Sequence, residues 1–209
     1  MEALLDLYAQ PYDETRPLVC FDEKSVELHA DIRPARPVAP GKPKRVDYEY
    51  KRNGTRNVFL FLEPKAGRRH TVVTRQRTKH QWAYAMRYLV DELYPDAAMI
   101  DVVLDNLNTH LADVLIEIFG KAEADRILNH LTFHYTPLHS SWLNMAEIEL
   151  SVMERQCLRR RLPDELTLAT ELIAWERPRN DAHVKIRWKF STQDARRVFA
   201  KHYPASSNC

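Results

Sequence analysis

The sequence predicts an α/β fold in which a mixed five-stranded sheet is flanked by helices. Five short segments rich in apolar and β-branched residues, at 18–21, 58–62, 70–74, 99–104 and 131–135, are typical of strands in a buried sheet. Segments with apolar residues at helical spacing separate the later strands. The order along the chain is therefore three strands, helix, strand, helix, strand and helix.

Turn signals connect the first three strands, which we expect to be antiparallel. Asn53-Gly54 lies between 48–52 and 58–62, and both residues tolerate positive φ, so we expect a hairpin turn there. Residues 64–69 predict a second turn, which leads into the strand at 70–74.

Helix signals follow in the second half of the chain. Thr78 predicts the N-cap of a helix that runs to about Leu93. A shorter helix is expected at 111–119, and a long one at 143–160. Residues 165–199 are typical of peripheral helices.

The composition fits one globular domain. The chain has 209 residues, of which 44% are hydrophobic. It has no run of about 18 apolar residues that could span a bilayer, and its N-terminus lacks the pattern of a signal peptide. Its three cysteines form no CxxC pair, which favours a reducing compartment. We therefore expect a cytoplasmic protein.

We divide the chain into three parts. Residues 1–17 predict a linker-like N-terminal helix, residues 18–162 the core, and residues 163–209 the C-terminal helices. A proline-rich basic arm at 30–51 is expected to project from the core, because four prolines between residues 32 and 43 exclude helix and inner strand.

Charge is segregated along the chain. Residues 1–32 carry eight acidic and two basic residues, whereas 33–77 carry thirteen basic and three acidic residues. Clustered cations bind nucleic-acid phosphates by releasing counterions, so the second block is a candidate DNA surface. A solvated loop and strand face is the equal alternative.

Carboxylates stand at three places where elements are expected to begin or end. The first strand is expected to end at Asp22, the fourth ends at Asp105, and the long helix begins with Glu147 and Glu149. Side chains from two strand ends and a helix start can meet above one edge of a sheet. Magnesium prefers such oxygen ligands, and two ions can promote phosphodiester chemistry. Taken singly, each aspartate is more often a turn or cap residue.

The motifs around these carboxylates favour a metal-binding role over a turn or cap role. Phe21-Asp22-Glu23-Lys24-Ser25, Leu104-Asp105-Asn106-Leu107-Asn108-Thr109-His110 and Ser141-Trp142-Leu143-Asn144-Met145-Ala146-Glu147-Ile148-Glu149 occur in this order. The chain resembles the DDE transposases of bacterial insertion sequences, in the branch related to the mariner elements of animals. This resemblance covers residues 5–203 and implies a ribonuclease H-like fold.

The resemblance implies that Asp22, Asp105 and Glu147 are catalytic residues that bind two Mg²⁺ ions, for which Mn²⁺ can substitute. The gap between Asp105 and Glu147 exceeds that of the animal elements, which predicts extra helix around 122–128. Met145-Ala146 replaces the Pro-Ile of many relatives. Glu149 is the rival third ligand, but it lies about 200° around the helix from Glu147, so both cannot face the metals.

Further polar residues are candidates for binding DNA. The basic candidates are Lys42, Lys44, Arg45, Lys51, Arg52 and Arg56, and the candidates within or near the motifs are Asn106, Asn108, His110, His139 and Asn144. Asparagine and threonine after a strand also serve as turn and cap residues, so a structural role is equally expected for them.

The implied activity is metal-dependent cleavage at transposon ends, followed by attack of the freed 3′-hydroxyl on target DNA. The partners implied are DNA and a second copy of the chain, which would bind through the arm at 30–51. The protein is expected to associate with the nucleoid when it binds DNA. The chain begins at the linker-like helix, without the helix-turn-helix domains usual in relatives. The alternatives are another ribonuclease H-like nuclease and an inactive DNA-binding or interaction domain.

Overall fold

The computed structural model describes residues 1–33, 40–41, 48–106 and 112–202. Within these ranges no helix is long and apolar enough to cross a membrane.

A single mixed sheet forms the centre of the molecule and confirms the predicted sheet of five strands. The strand order is β3-β2-β1-β4-β5. Strand β2 pairs antiparallel with both β1 and β3, as predicted, whereas β1 pairs with β4 and β4 with β5 in parallel. The strands are β1 (Leu18–Asp31), β2 (Tyr50–Glu63), β3 (Arg68–Thr74), β4 (Ile100–Leu104) and β5 (Leu131–Tyr135).

Helices cover both faces of the sheet. They are α1 (Glu2–Ala9), α2 (Lys79–Tyr88), α3 (Ala112–Phe119), α4 (Lys121–Leu128), α5 (Met145–Met153), α6 (Glu165–Asp181) and α7 (Thr192–Val198). A π-helical turn extends α2 to Leu93 and another extends α5 to Leu158. Thr78 caps α2 as predicted, and α4 is the extra helix expected before the third motif.

The strand alternation divides the core into two apolar clusters. Cys20, Leu60 and Val103 point to the face covered by α1, α5 and α6. Their neighbours Phe21 and Val102 point to the opposite face, which α2, α3 and α4 cover. Because both faces of the central strands are buried, those strands are apolar almost throughout, which is why their sequence signal is strong.

Strand β1 is longer than predicted, and Asp22 lies inside it rather than at its end. Antiparallel pairing with β2 continues to Asp31, whereas the parallel pairing with β4 extends only from Leu18 to Cys20. The polar residues after Asp22 remain in the strand because β2 supplies their hydrogen-bonding partners. Asp22 therefore follows directly on the part of β1 that is paired on both sides.

The predicted hairpin turn at Asn53-Gly54 is wrong. Both residues lie inside β2, where the register shifts between Glu27 and His29 on β1. Thr55 pairs with Glu27 and Arg52 with His29, so Asn53 and Gly54 together oppose one residue of β1. Gly54 has a φ of 91°. The positive φ expected for a turn thus serves a β-bulge instead.

The arm at 30–51 leaves the sheet between β1 and β2, and most of it lies outside the described residues. Arg161 holds together the two chain segments from which the arm starts. The Nη1 atom of Arg161 donates to Asp31 Oδ1 at 2.6 Å and to the carbonyl of Glu49 at 3.1 Å, and its Nη2 donates to the carbonyl of Tyr48. The two chain segments that carry the arm therefore start from a common point.

The C-terminal segment shares the core. Helix α6 buries Leu168, Leu172 and Trp175 in the same apolar cluster as α1 and α5. The division of the chain at residues 17 and 162 stays a prediction.

We predict that Gly67→Ala destabilises the protein far more than Gly120→Ala. Both glycines have positive φ, so alanine is strained at either position. At Gly67 the added Cβ would also lie 2.9 Å from the Val184 nitrogen and still closer to the carbonyl group of His183, whereas at Gly120 it meets nothing. Urea unfolding should show a loss of about 1 kcal/mol for Gly120→Ala and at least twice that for Gly67→Ala. Equal losses would contradict close packing at the β2–β3 turn.

Candidate active site

Asp22 lies on the face of β1 that is covered by α5. Strand alternation places it on the same side as Cys20, which is buried in the cluster that includes Met145 and Ala146. The Oδ1 atom of Asp22 accepts a hydrogen bond from the backbone nitrogen of Glu23 at 2.7 Å. The carboxyl group is thus half-buried at the edge of the apolar core.

Asp105 follows β4 directly and belongs to the same side. Cys20 pairs with Val103 in the parallel register, so Asp22 and Asp105 each stand two residues beyond a paired position. Neighbouring strands lie about 4.8 Å apart, and residues two apart share a face. The register therefore sets the two aspartates side by side where the parallel pairing of β1 and β4 stops.

Asn144 ties the start of α5 to β1. Its Nδ2 donates to the carbonyl of Phe21 at 2.8 Å, and its Oδ1 accepts from the backbone nitrogen of Ala146 at 3.1 Å. The first bond reaches the residue directly before Asp22, and the second caps the helix. Glu147 lies in the first turn of this helix, so the amide of Asn144 brings the helix start and Asp22 together.

Electrostatics links the three predicted ligands. The pKa of Asp22 is raised to about 7, chiefly by burial and to a smaller extent by the carboxylates of Glu147, Asp105 and Glu23. Like charges raise a carboxyl pKa only when they lie near it. Asp22 therefore feels both partners that the sequence assigns to it.

This carboxylate set fits a hard divalent cation in its chemistry. Oxygen ligands of this kind suit Mg²⁺ and Mn²⁺, and mutual repulsion among them is what a cation would relieve. Within the described ranges, however, no three His, Cys, Asp or Glu side chains stand in an arrangement ready to hold a metal ion. The carboxylates share one face and one electrostatic environment without forming a closed cage.

The comparison with protein families decides the affiliation. The model of the DDE superfamily endonuclease family matches residues 17–169. The chain belongs to this family. The match contains all three motifs and confirms the resemblance inferred from them.

Solved structures confirm the ribonuclease H-like fold of this DDE endonuclease domain. The Mos1 mariner paired-end complex with Mn has a TM-score of 0.59 at 16% identity, covering 88% of this chain and 54% of that one. The Mos1 strand transfer complex has a TM-score of 0.60 at 15% identity, covering 88% and 53%. A pre-cleavage Mos1 transpososome has 0.56 at 14%, covering 90% and 61%. The DDE domain thus spans little more than half of these proteins. The search of curated proteins finds no match.

Glu149, the rival third ligand, is occupied elsewhere. Its side chain is 1% exposed and forms ion pairs with Arg69 and Arg179. Glu147 is exposed on the first turn of α5 and acts on Asp22. Two guanidinium groups already neutralise Glu149, so Glu147 is the better placed of the two to face a cation.

The candidate DNA-binding residues divide into three groups. Outside the described residues lie Lys42, Lys44, Arg45, Asn108 and His110. Exposed are Lys51 and Arg52 on β2, Asn106 after β4, and His139, whose φ of 60° is unusual for a residue other than glycine. Arg56 is half-buried, and its Nε donates to Glu165 Oε2 at 2.6 Å, which leaves this guanidinium partly engaged within the DDE domain.

The DNA-binding role of Asn144 stays a prediction, and its contacts favour a structural role instead. The side chain is 1% exposed, and both ends of its amide are used within the protein. DNA could reach it only if the cap of α5 and the bond to β1 were broken. Its position before the helix is a sequence signal for a cap, and that structural alternative is the one realised.

Sequence reasoning did not find Arg69 and Arg179. They lie on β3 and α6, far from all three motifs, and only the folded chain brings them to Glu149. No local pattern marks them, because the sequence around each is ordinary for an edge strand and a surface helix.

We predict that Asp22→Asn stabilises the metal-free protein above pH 7 and has little effect near pH 4. The folded pKa of about 7 exceeds the ordinary 3.8, so the stability contributed by the protonated carboxyl is fully present below pH 3.8 and is lost as the pH rises through 7. Asparagine is neutral at every pH. Urea unfolding with a chelator present should show a gain on the order of 1 kcal/mol at pH 8, after allowance for solvent screening. A gain independent of pH would contradict the raised pKa of Asp22.

Proposed function

We propose that this chain is the catalytic domain of a DNA transposase, which cleaves transposon ends and joins the freed 3′-hydroxyl to target DNA. Asp22, Asp105 and Glu147 are its metal ligands. The observation that carries the proposal is geometric: the β1–β4 register sets Asp22 beside Asp105, and Asn144 ties the start of α5, which bears Glu147, to the residue before Asp22. Membership in the DDE endonuclease family and the likeness to Mos1 complexes add support.

The cofactor we propose is Mg²⁺, bound as two ions, with Mn²⁺ as a substitute. The Mos1 paired-end complex was solved with Mn. Divalent cations at such a site activate the attacking oxygen and stabilise the leaving oxygen of a phosphodiester.

The protein's own residues prepare this site. Asp22 must lose its proton before it can bind a cation, because a ligating carboxylate has to be ionised. Asn144 holds the start of α5 against the carbonyl of Phe21, so Glu147 cannot move away from Asp22 without loss of a buried hydrogen bond. The transition state of phosphoryl transfer then meets groups that are already oriented, which lowers the cost of reorganisation.

Transposon-end and target DNA are the proposed substrates, which places the protein on the nucleoid. Lys51 and Arg52 are exposed on the ribbon of β1 and β2, and Asn106 and His139 are exposed after the ends of β4 and β5. The ends of these two parallel strands lie at the same edge of the sheet as Asp105. Phosphates that cross this edge would meet Asn106 and His139 near Asp105, and a duplex that continues along the ribbon would meet Lys51 and Arg52.

The decisive experiment is the loss of cleavage in Asp105→Ala. We expect Mn²⁺-dependent nicking of supercoiled DNA, and joining of a 3′-hydroxyl oligonucleotide to a plasmid, to fall on the order of 10³-fold or more while the fold remains. Asp125→Ala is the matched control, because Asp125 lies on α4 and pairs only with the surface residue Lys121 among the ion pairs of the described part. Retained cleavage by Asp105→Ala would refute the assignment.

The same assays separate the alternatives. Nicking without joined products would favour another ribonuclease H-like nuclease. Binding of DNA by the wild-type protein, without any metal-dependent turnover, would favour an inactive DNA-binding or interaction domain.

We further propose that two copies of the chain associate on DNA through the arm at 30–51. The support is that the two ends of the arm are held together, because Arg161 donates hydrogen bonds to Asp31 and to the carbonyls of Tyr48 and Glu49. Prolines reduce the conformational entropy that a docking segment loses.

We predict that replacing residues 34–47 by a short glycine-serine linker abolishes the dimer on end DNA. Light scattering of the protein–DNA complex should give two protein copies for the wild type and one for the shortened chain. Metal-dependent nicking of plasmid should persist in the shortened chain, because the carboxylates lie elsewhere. A wild-type complex with a single copy would count against the proposed association.

A further inference from the structure

Glu149 is enclosed by two guanidinium groups although it lies only two residues from the proposed ligand Glu147. Its Oε1 accepts from Arg179 Nε at 2.9 Å and its Oε2 from Arg179 Nη2 at 3.1 Å. Arg69 Nε lies 2.9 Å from the same Oε1. A forked contact of this kind fixes the direction of a carboxylate as well as its charge.

The two arginines belong to different elements, and each is held in place by further contacts. Arg69 on β3 is fully buried, and its Nη1 donates to the carbonyl of Gly67 at 2.9 Å. Arg179 on α6 lies over the ring of Trp175 at 5.3 Å. Glu149 therefore joins α5 to the edge strand and to α6 at the same time.

A second carboxylate balances the charge of this cluster. Glu176 on α6 accepts from the nitrogen and the hydroxyl of Thr71 at 2.8 and 3.0 Å, and its charge acts on Arg69. Apolar side chains of similar volume often stabilise a core as well as a buried ion pair does. What the guanidinium fork adds is a fixed orientation.

That orientation bears directly on Glu147. Successive residues of an α-helix are about 100° apart, so Glu147 and Glu149 point to nearly opposite sides of α5. With Glu149 drawn towards β3 and α6, Glu147 is turned to the other side of α5. Asn144 ties the start of this helix to β1 beside Asp22.

We propose that Glu149, Arg69 and Arg179 are positioning residues that orient Glu147 for metal binding by fixing the rotation of α5. This inference rests on the proposed function, in which Glu147 is a ligand. Loss of a group that orients a metal ligand typically weakens metal affinity 10–100-fold.

The test is the affinity of the full chain for Mn²⁺, measured by the electron paramagnetic resonance signal of the free ion. We expect about tenfold weaker binding by Glu149→Gln, which keeps the volume of the side chain but loses its charge. Glu117→Gln is the matched control, since Glu117 is an exposed residue of α3 that pairs with Lys79. Its affinity should equal that of the wild type.

Arg179→Lys provides a second variant, because lysine keeps the charge but cannot form the fork. We expect its Mn²⁺ affinity to fall as well, with plasmid nicking recovered at saturating Mn²⁺. Circular dichroism reports whether each variant is folded. If only Arg179→Lys folds, its Mn²⁺ affinity alone tests the positioning role.

Three outcomes would overturn the positioning role. They are wild-type Mn²⁺ affinity in a folded Glu149→Gln, the same result in a folded Arg179→Lys, and unfolding of both variants, which would make the cluster a requirement of the fold alone. Failure of the wild-type protein to bind Mn²⁺ would instead refute the proposed function itself. The two failures are thus distinguishable.

Discussion

The parallel register between β1 and β4 is the constraint on which the arrangement of the site depends. Cys20 opposite Val103 leaves Asp22 and Asp105 two residues further along neighbouring strands, on the same face of the sheet. A shift of one residue would turn one of the aspartates to the opposite face and into the apolar cluster around Phe21 and Val102. The apolar residues before both aspartates are buried on both faces and resist such a shift. Core packing thereby determines which polar groups meet.

Helix α5 completes the arrangement from outside the sheet. It is a short helix, and short helices owe their position to tertiary contacts rather than to their own stability. The amide of Asn144 supplies one such contact with β1, and the hydroxyl of Tyr8, which donates to the carbonyl of Leu143 at 2.6 Å, supplies another from α1. The ion pairs of Glu149 supply the third. Contacts with several elements therefore hold α5, and with it the exposed Glu147, beside the sheet.

The elements that sequence patterns predict well are those whose signal is local. Strand β5 has the predicted bounds, and β4 differs by one residue, because each is a compact run between clear breaks. Strand β1 is longer than its apolar run since its polar half is stabilised by pairing with β2, which is a long-range interaction. Asn53-Gly54 shows a different limit: local sequence identifies the need for positive φ, whereas the partner strand decides between a turn and a bulge. For the site, the aspartates that follow the apolar runs could be found from sequence, but the partners of Glu149 could not.

The bulge in β2 also affects the shape of the β1–β2 ribbon beyond Asp22. One extra residue in that strand inverts the alternation of side chains on the arm side of Gly54 and adds right-handed twist to the ribbon. This bulge lies opposite Leu28, six residues and roughly 20 Å along β1 from Asp22. Insertions and deletions at this point would change the twist and the side-chain alternation of the ribbon without touching the core.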